Sequence, residues 1–345
     1  MSTIYIRVPN NKRSGGVKVA NQVVNLLLDH DVRAFLVVPG EPQLADWMLR
    51  PAPVITEKQM LHQIRYEDVL VDNWNGKREL RMAEQLNVGT KVFFLQGVTF
   101  QEDAHHAGDR FLFEDIYSHF WVVSDDSLQF IRDNYGHLLP HRLFLINPYI
   151  EFEHFSAENR KGSKDKPKVL CLSRKGRGYI ALLKVLFRPW LRFTVIERPF
   201  AERELIDWLL RHDFFLSTAT GINFWRVWFK SLIRRLVFQR RVQPTIVINP
   251  NKEGFPLPPA EAAACGSIVC GFAAGGGLEW MSESTCFLAK DRSITSLIYA
   301  LWKAIKTDQA DIEQMRHRAM KAVSQFSARS TWEQLRVFLH ESGVL

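Results

Sequence analysis

The sequence predicts an α/β protein made of two doubly wound halves facing each other across a cleft. Three observations carry this. The chain opens on a strand, loop, helix, strand unit, which is how parallel α/β layers usually begin. Its later strands are continuous apolar runs without alternation, as expected of a sheet covered on both faces. A polar, charge-dense break at 156–168 then interrupts the alternation, which restarts after it.

The elements follow in order. "STIYIRVP" is an apolar strand, and "VKVANQVVNLLLDHD" places Val17, Ala20, Val23, Val24, Leu27 and Leu28 at helical spacing. "VRAFLVVPG", "DVLVDNW", "KVFFLQG", "HFWVVS" and "RLFLIN" read as buried strands, with helices at "KRELRMAEQL" and "DDSLQFIRDNY". "SDDS" at 124–127 reads as a helix N-cap rather than a metal motif. Beyond the linker "SAENRKGSKDKPK" the pattern runs strand "KVLCLS", helix "GYIALLKVLF", strand "RFTVIE", helix "AERELIDWLLRH", strand "DFFLST". "PTIVIN" and "SIVCGF" are further strands. Helices are expected at "SITSLIYALWKAI", at 309–326 and in the tail "TWEQLRVFLHESGVL".

The totals agree with two cores. The chain has 345 residues, 46% of them hydrophobic and 24% charged, an ordinary globular balance. Cys171, Cys265, Cys270 and Cys286 form no CxxC pair and read as buried small hydrophobes in a reducing compartment. The first residues read as strand and loop rather than as a secretory signal, and no run has the roughly 18 to 20 apolar residues of a membrane span. The expectation is a cytoplasmic protein.

Net charge is +8, and six of those charges lie in residues 222–241, "INFWRVWFKSLIRRLVFQRR", which hold no acid. On a helix, Trp225, Phe229, Leu232 and Leu236 fall on one broad side, with Arg226, Lys230 and Arg234 on the other. Three readings stand: a helix on an anionic membrane surface, a helix pair packed on the core or on a partner subunit, or a nucleic-acid contact. The last is least expected, because no recognised module accompanies it.

The richest stretch is "NKEGFPLPPAEAAACGS", residues 251–267. Pro258 and Pro259 suit a first helical turn, where their missing N–H groups cost nothing. "AEAAAC" is a good helix former and Gly266 a natural stop. Glu261 is therefore expected near the start of a short helix and Glu253 in the loop before it, with Gly254 letting backbone approach a ligand. Each carboxylate can accept from a vicinal diol. A proline-rich helix start with surface glutamates is the plainer reading of the same residues.

"EGFPLPPAEAAACGSIVCGFAAGGGLE" resembles the nucleotide-sugar site of the retaining glycosyltransferases of the GT-B fold, the large family four. That pattern is E-x7-E in an EGFGLP-like turn, an E-A-x-A-C-G helix, a strand, then Gly-Gly ahead of another glutamate. The resemblance implies two Rossmann-like domains. Residues 1–155 would form the acceptor side, 156–168 the linker and 169–328 the nucleotide-sugar side, with an insert at 222–248. The helix near 329–345 would pack back on the first domain.

The resemblance also implies roles. Glu253 would lie beside the transferred sugar and Glu261 would hold the ribose hydroxyls. Gly254, Phe255 and Leu257 would keep backbone donors toward the ligand, while Pro256 deletes one. The Gly275, Gly276, Gly277, Glu279 loop would lie close by. Arg174, with Lys175 or Arg177, would grip the diphosphate and stabilise it as it leaves. Gly15 and Gly16 would let N–H groups meet phosphate at the first helix N-terminus. Many relatives have a His where this chain has Gln96, which can hydrogen-bond a sugar but cannot act as a base. Asp103, His105 and His106 follow it, the histidines read as exposed loop residues.

The expected activity is transfer of a sugar from a nucleoside-diphosphate sugar, with retention, no cofactor and no metal. The acceptor would be a glycan or lipid-linked glycan of the cell envelope. An anionic membrane surface engaged through 222–241 is an expected partner, and nucleic acid is not. The alternative is a non-catalytic, transferase-shaped scaffold acting through the basic segment.

Overall fold

The computed structural model describes residues 2–10, 13–41, 46–73, 77–97, 116–134, 142–161, 166–173, 176–218, 253–291 and 293–345. Arg174, Lys175, Asp103, His105, His106, the basic segment 222–241 and the strand expected at 244–249 lie outside these residues.

The N-terminal half is a parallel sheet of seven strands in the order β3-β2-β1-β4-β5-β6-β7. They are β1 (Ile4–Arg7), β2 (Ala34–Val38), β3 (Val54–Thr56), β4 (Val69–Asp72), β5 (Thr90–Leu95), β6 (His119–Val122) and β7 (Leu143–Leu145). Helices α1 (Gly15–Leu28), α2 (Glu57–Gln63), α3 (Lys77–Gln85) and α4 (Asp125–Asn134) connect them. β1 and β4 are buried at every position, which is why they carry no polar alternation. Val17 to Leu27 of α1 are all buried, so that helix is enclosed rather than amphipathic.

The C-terminal half is a parallel sheet of five described strands in the order β12-β11-β10-β8-β9. They are β8 (Lys168–Leu172), β9 (Arg192–Ile196), β10 (Phe214–Ser217), β11 (Ile268–Phe272) and β12 (Phe287–Ala289). One face is covered by α5 (Arg177–Phe187) and α8 (Ile294–Lys306). The other is covered by α6 (Glu202–Arg211), α7 (Leu257–Ala264) and α9 (Gln309–Val323). α10 (Ala328–Glu341) crosses back, burying Leu335, Phe338 and Leu339 in the core of the N-terminal half. Phe338 meets Trp121 and Phe144 edge-on. The four cysteines are buried and free.

Four elements differ from the sequence reading. β3 and α2 were not expected, because three strand residues carry no readable period. Thr56 and Gln59 do form a capping box, a signal the sequence contains. β12 was not expected for the same reason. α1 begins at Gly15, two residues early, since Ser14 caps it by accepting from the Val17 N–H at 3.2 Å. The described part of the polar break is anchored rather than flexible: Lys161 N–H donates to Leu210 O, and Arg160 bonds His212 O and Asp213.

The ends of β1, β4, β5 and β6 lead into Val8, Asn73, Gln96 and Val123, on the edge that meets residues 253–257 and 274–279 of the other half. Ligands of open α/β sheets bind at such carboxyl edges.

Candidate functional site

Residues 253–257 form a wedge between the halves. Glu253 N–H donates to Ala274 O at 2.6 Å, and Gly276 N–H donates to Glu253 O at 3.1 Å, so the turn and the Gly275–Gly277 loop form one short parallel bridge. The approach demands glycine. A Cβ on Gly276 would stand 1.7 Å from Gly254 O, and one on Gly254 would stand 2.4 Å from Gln96 O. Phe255 stacks edge-on with Phe326 at 4.8 Å, while Leu257 is buried in the core of the N-terminal half.

α7 then starts with Pro256 as its N-cap and prolines in its first turn. It ends in a Schellman motif, with Gly266 at φ +74° and N–H groups of Gly266 and Ser267 donating to Ala263 O and Ala262 O. Those local stops fix Glu261 on a short, rigid helix.

Facing the wedge is the first turn of α1. A Cβ on Gly16 would lie 2.5 Å from Gln96 Oε1, whereas Gly15 has open space around it. Asn73 Nδ2 donates to Gly16 O at 3.3 Å. The side-chain amide of Gln96 is shielded from water, and among the described residues neither its oxygen nor its nitrogen has a hydrogen-bond partner. A buried polar group left unpaired is costly, and such sites commonly await a ligand or water. Gly16, Gln96, Gly254, Glu253 and the Gly275–Gly277 loop therefore share one locus. Arg177 is exposed on the first turn of α5, after the left-handed Gly176, and no bond joins it to either glutamate.

Glu261 is 2% exposed, so it is no surface glutamate. Its Oε1 accepts from Lys18 Nζ of α1 at 2.5 Å. Lys18 also pairs with Glu202 of α6 and lies 4.8 Å from the Phe155 ring centre. Glu202 anchors the halves again: its Oε2 accepts from Leu49 N–H at 2.7 Å, and its N–H donates to Trp47 O at 2.9 Å. Glu151 completes a cluster of one ammonium and three carboxylates. Burial pushes the Glu151 carboxyl up to about 7, with Lys18 opposing and Glu202 and Glu261 adding to the rise. Burial also raises Glu261 against the pull of Lys18. Burial alone would lower Lys18, yet Glu261, Glu202 and Glu151 hold its ammonium above the ordinary lysine value.

A second clasp lies at the other side of the wedge. Glu279 Oε1 accepts from Asp125 N–H at 2.6 Å, at the start of α4, and Oε2 from Asn147 Nδ2 at 3.4 Å. Ser124 caps the same helix, its Oγ accepting from Ser127 N–H. Burial raises the Glu279 carboxyl to about 7, opposed by the Asp125 N–H bond and aided by the charges of Asp125 and Asp126.

The whole chain superposes on solved glycosyltransferases. HepE of Anabaena, in complex with UDP and glucose, matches with a TM-score of 0.67 at 13% identity, over 99% of this chain and 100% of that one. The chain has the GT-B fold. A glycosyltransferase of Rickettsia africae matches this GT-B chain at TM-score 0.66 and 13% identity, over 98% of each. The pneumococcal O-GlcNAc transferase GtfA, solved with UDP and GlcNAc, matches at 0.63 and 9%, over 99% of each. No family model matches the GT-B chain, and no curated protein matches it.

Sequence reasoning missed Lys18, Glu202, Glu151 and Asn147. One signal was present. Lys18 is the sole charged residue between Gly15 and Leu28, and a lone lysine in a mainly apolar helix calls for a buried acid.

Proposed function

We propose that this GT-B protein is a metal-independent, retaining glycosyltransferase that uses a nucleoside-diphosphate sugar. The observation that carries the proposal is the Glu253–Gly254 wedge, seated against Gly16 and the unpartnered Gln96 amide where two carboxyl edges meet. Support from outside the chain is the likeness to GT-B proteins solved with UDP, UDP-glucose and glucose.

In this reading the sugar lies beside Glu253, and Gln96 supplies a neutral hydrogen bond to one of its hydroxyls. The diphosphate lies toward the first turn of α1, whose N–H groups are oriented for an anion. Arg174, with Lys175 or Arg177, meets the negative charge that grows on the diphosphate as the glycosidic bond breaks. Glu261 takes the ribose hydroxyls. Because it is 2% exposed, the nucleotide reaches it only after the halves part. The acceptor side is the N-terminal half, and a cell-envelope or lipid-linked glycan is the acceptor class we favour.

The test is thermal stability with UDP, GDP, ADP and dTDP, for the natural chain and for Glu261→Ala. A ligand at 100 times its Kd adds about 2.7 kcal/mol. One nucleotide that stabilises the natural chain but not Glu261→Ala supports the donor site, and turnover should fall with Glu253→Gln in a protein that stays folded. No response to any nucleotide overturns it.

The cover that Lys18 places over Glu261 favours one second reading, a transferase-shaped scaffold acting through residues 222–241. Such a protein would be indifferent to Glu253→Gln and would lose its partner when the basic segment is neutralised.

A further inference from the structure

The outer face of the C-terminal half carries an apolar patch left exposed among the described residues. Eleven large apolar side chains are exposed among the described residues, and six of them lie on α5, the turn after it and α8. These are Leu182, Val185, Leu186, Trp190, Tyr299 and Trp302. Leu182, Leu186 and Trp190 follow one another at four-residue spacing along one side of the helix and its extension. Val185 is 74% exposed and Tyr299 68%. Trp190 and Trp302 meet edge-on at 5.2 Å, joining the two elements into one surface.

The two segments that carry this surface bear charge of one sign. Residues 180–192 and 293–307 contain Lys184, Arg188, Arg192, Lys303 and Lys306 and no acid. Lys306 lies 5.2 Å from the Trp302 ring centre. Cations near helix C-termini are favoured by the helix dipole, which accounts for Lys303 and Lys306. It does not account for two tryptophans, a tyrosine and three aliphatic side chains in water between them.

We propose that this face rests on an anionic lipid bilayer. Tryptophan and tyrosine settle at the water–lipid boundary because one part of each ring system is apolar and another is polar. Lysine and arginine around them meet the phosphates of anionic headgroups. A second copy of this chain fits poorly, because a two-fold contact would bring cations against the same cations with no acid in either segment to meet them. No helix among the described residues is long and apolar enough to cross a membrane, and the contact proposed is a peripheral one. The patch is built from residues other than 222–241, and the proposal does not depend on what the cleft binds.

The experiment uses the full chain with vesicles of phosphatidylcholine alone and with added phosphatidylglycerol. Co-sedimentation should require phosphatidylglycerol and weaken with salt. The pairs Trp190→Ser with Trp302→Ser, and Val185→Glu with Tyr299→Glu, change exposed positions. Each should cut partitioning at least about tenfold with the far-ultraviolet circular dichroism unchanged. Arg226→Gln, Lys230→Gln and Arg234→Gln together should leave binding to that face in place. The proposal is overturned if the natural chain ignores anionic vesicles, or if the folded patch variants bind as it does. It is also overturned if the only effect of Val185→Glu is to dissociate a dimer.

Discussion

Lys18 and Glu261 are 243 residues apart in sequence and meet at 2.5 Å across the cleft. The ammonium belongs to the first helix of one half, and the carboxylate to the helix behind the glutamate turn of the other. Both are buried, so the halves cannot part without breaking the pair.

Removing the ammonium leaves Glu261, Glu202 and Glu151 buried together without their counter-charge. Lys18→Met is expected to destabilise the chain by about 3 to 5 kcal/mol at neutral pH, as breaking a buried pair does. The loss should shrink on acidification, because protonated carboxyls no longer repel. Thermal melts at pH 8 and pH 5.5 check both parts.

Glu151 gives the pH dependence a direction. Its carboxyl value is about 7 in the folded chain against an ordinary 4.5, so the folded state holds the proton more tightly. That contribution to stability is complete below pH 4.5 and disappears as the pH climbs through about 7. Glu151→Gln should flatten the decline by about 3 kcal/mol between those limits, since one pKa unit corresponds to ~1.4 kcal/mol. Denaturant midpoints across that range measure it.

Glu279 caps a helix of the opposite half through Asp125 N–H. Glu279→Ala should cost about 1 kcal/mol, the usual worth of an N-cap. It should also loosen the halves, visible as a larger radius of gyration in solution scattering. An unchanged radius would show that Lys18 and the wedge hold the cleft without it.

The glycines separate by packing rather than by their place in a motif. Gly254→Ala puts a methyl 2.4 Å from Gln96 O and 2.5 Å from Val123 Cγ2, and Gly276→Ala puts one 1.7 Å from Gly254 O. Backbone cannot yield cheaply, so both should cost at least about 2 kcal/mol by overpacking. Gly15→Ala meets no atom within 4 Å and should be close to neutral. Melting curves of the three variants test the order.

Much of the architecture was legible in the chain. Unbroken apolar runs such as Val69–Val71 and Ile268–Phe272 read as strands covered on both faces and are buried throughout. Pro258, Pro259 and Gly266 marked the bounds of the helix that carries Glu261, because caps and stops act within one turn. β3 stayed hidden, since three residues are too few to show a period.

Glu253 and Glu261 could be named from sequence, together with Gly254 and Gln96, but their surroundings could not. That Glu261 is covered by Lys18, that Glu279 caps Asp125, and that the Gln96 amide faces Gly16 without a partner all depend on where two sheets come to rest. Local signals arise from backbone groups a few residues apart, so a sequence displays them directly. Charges paired across a cleft have no period and no fixed spacing. Only the packing of one half against the other brings Lys18 to Glu261, and burial then makes that contact matter.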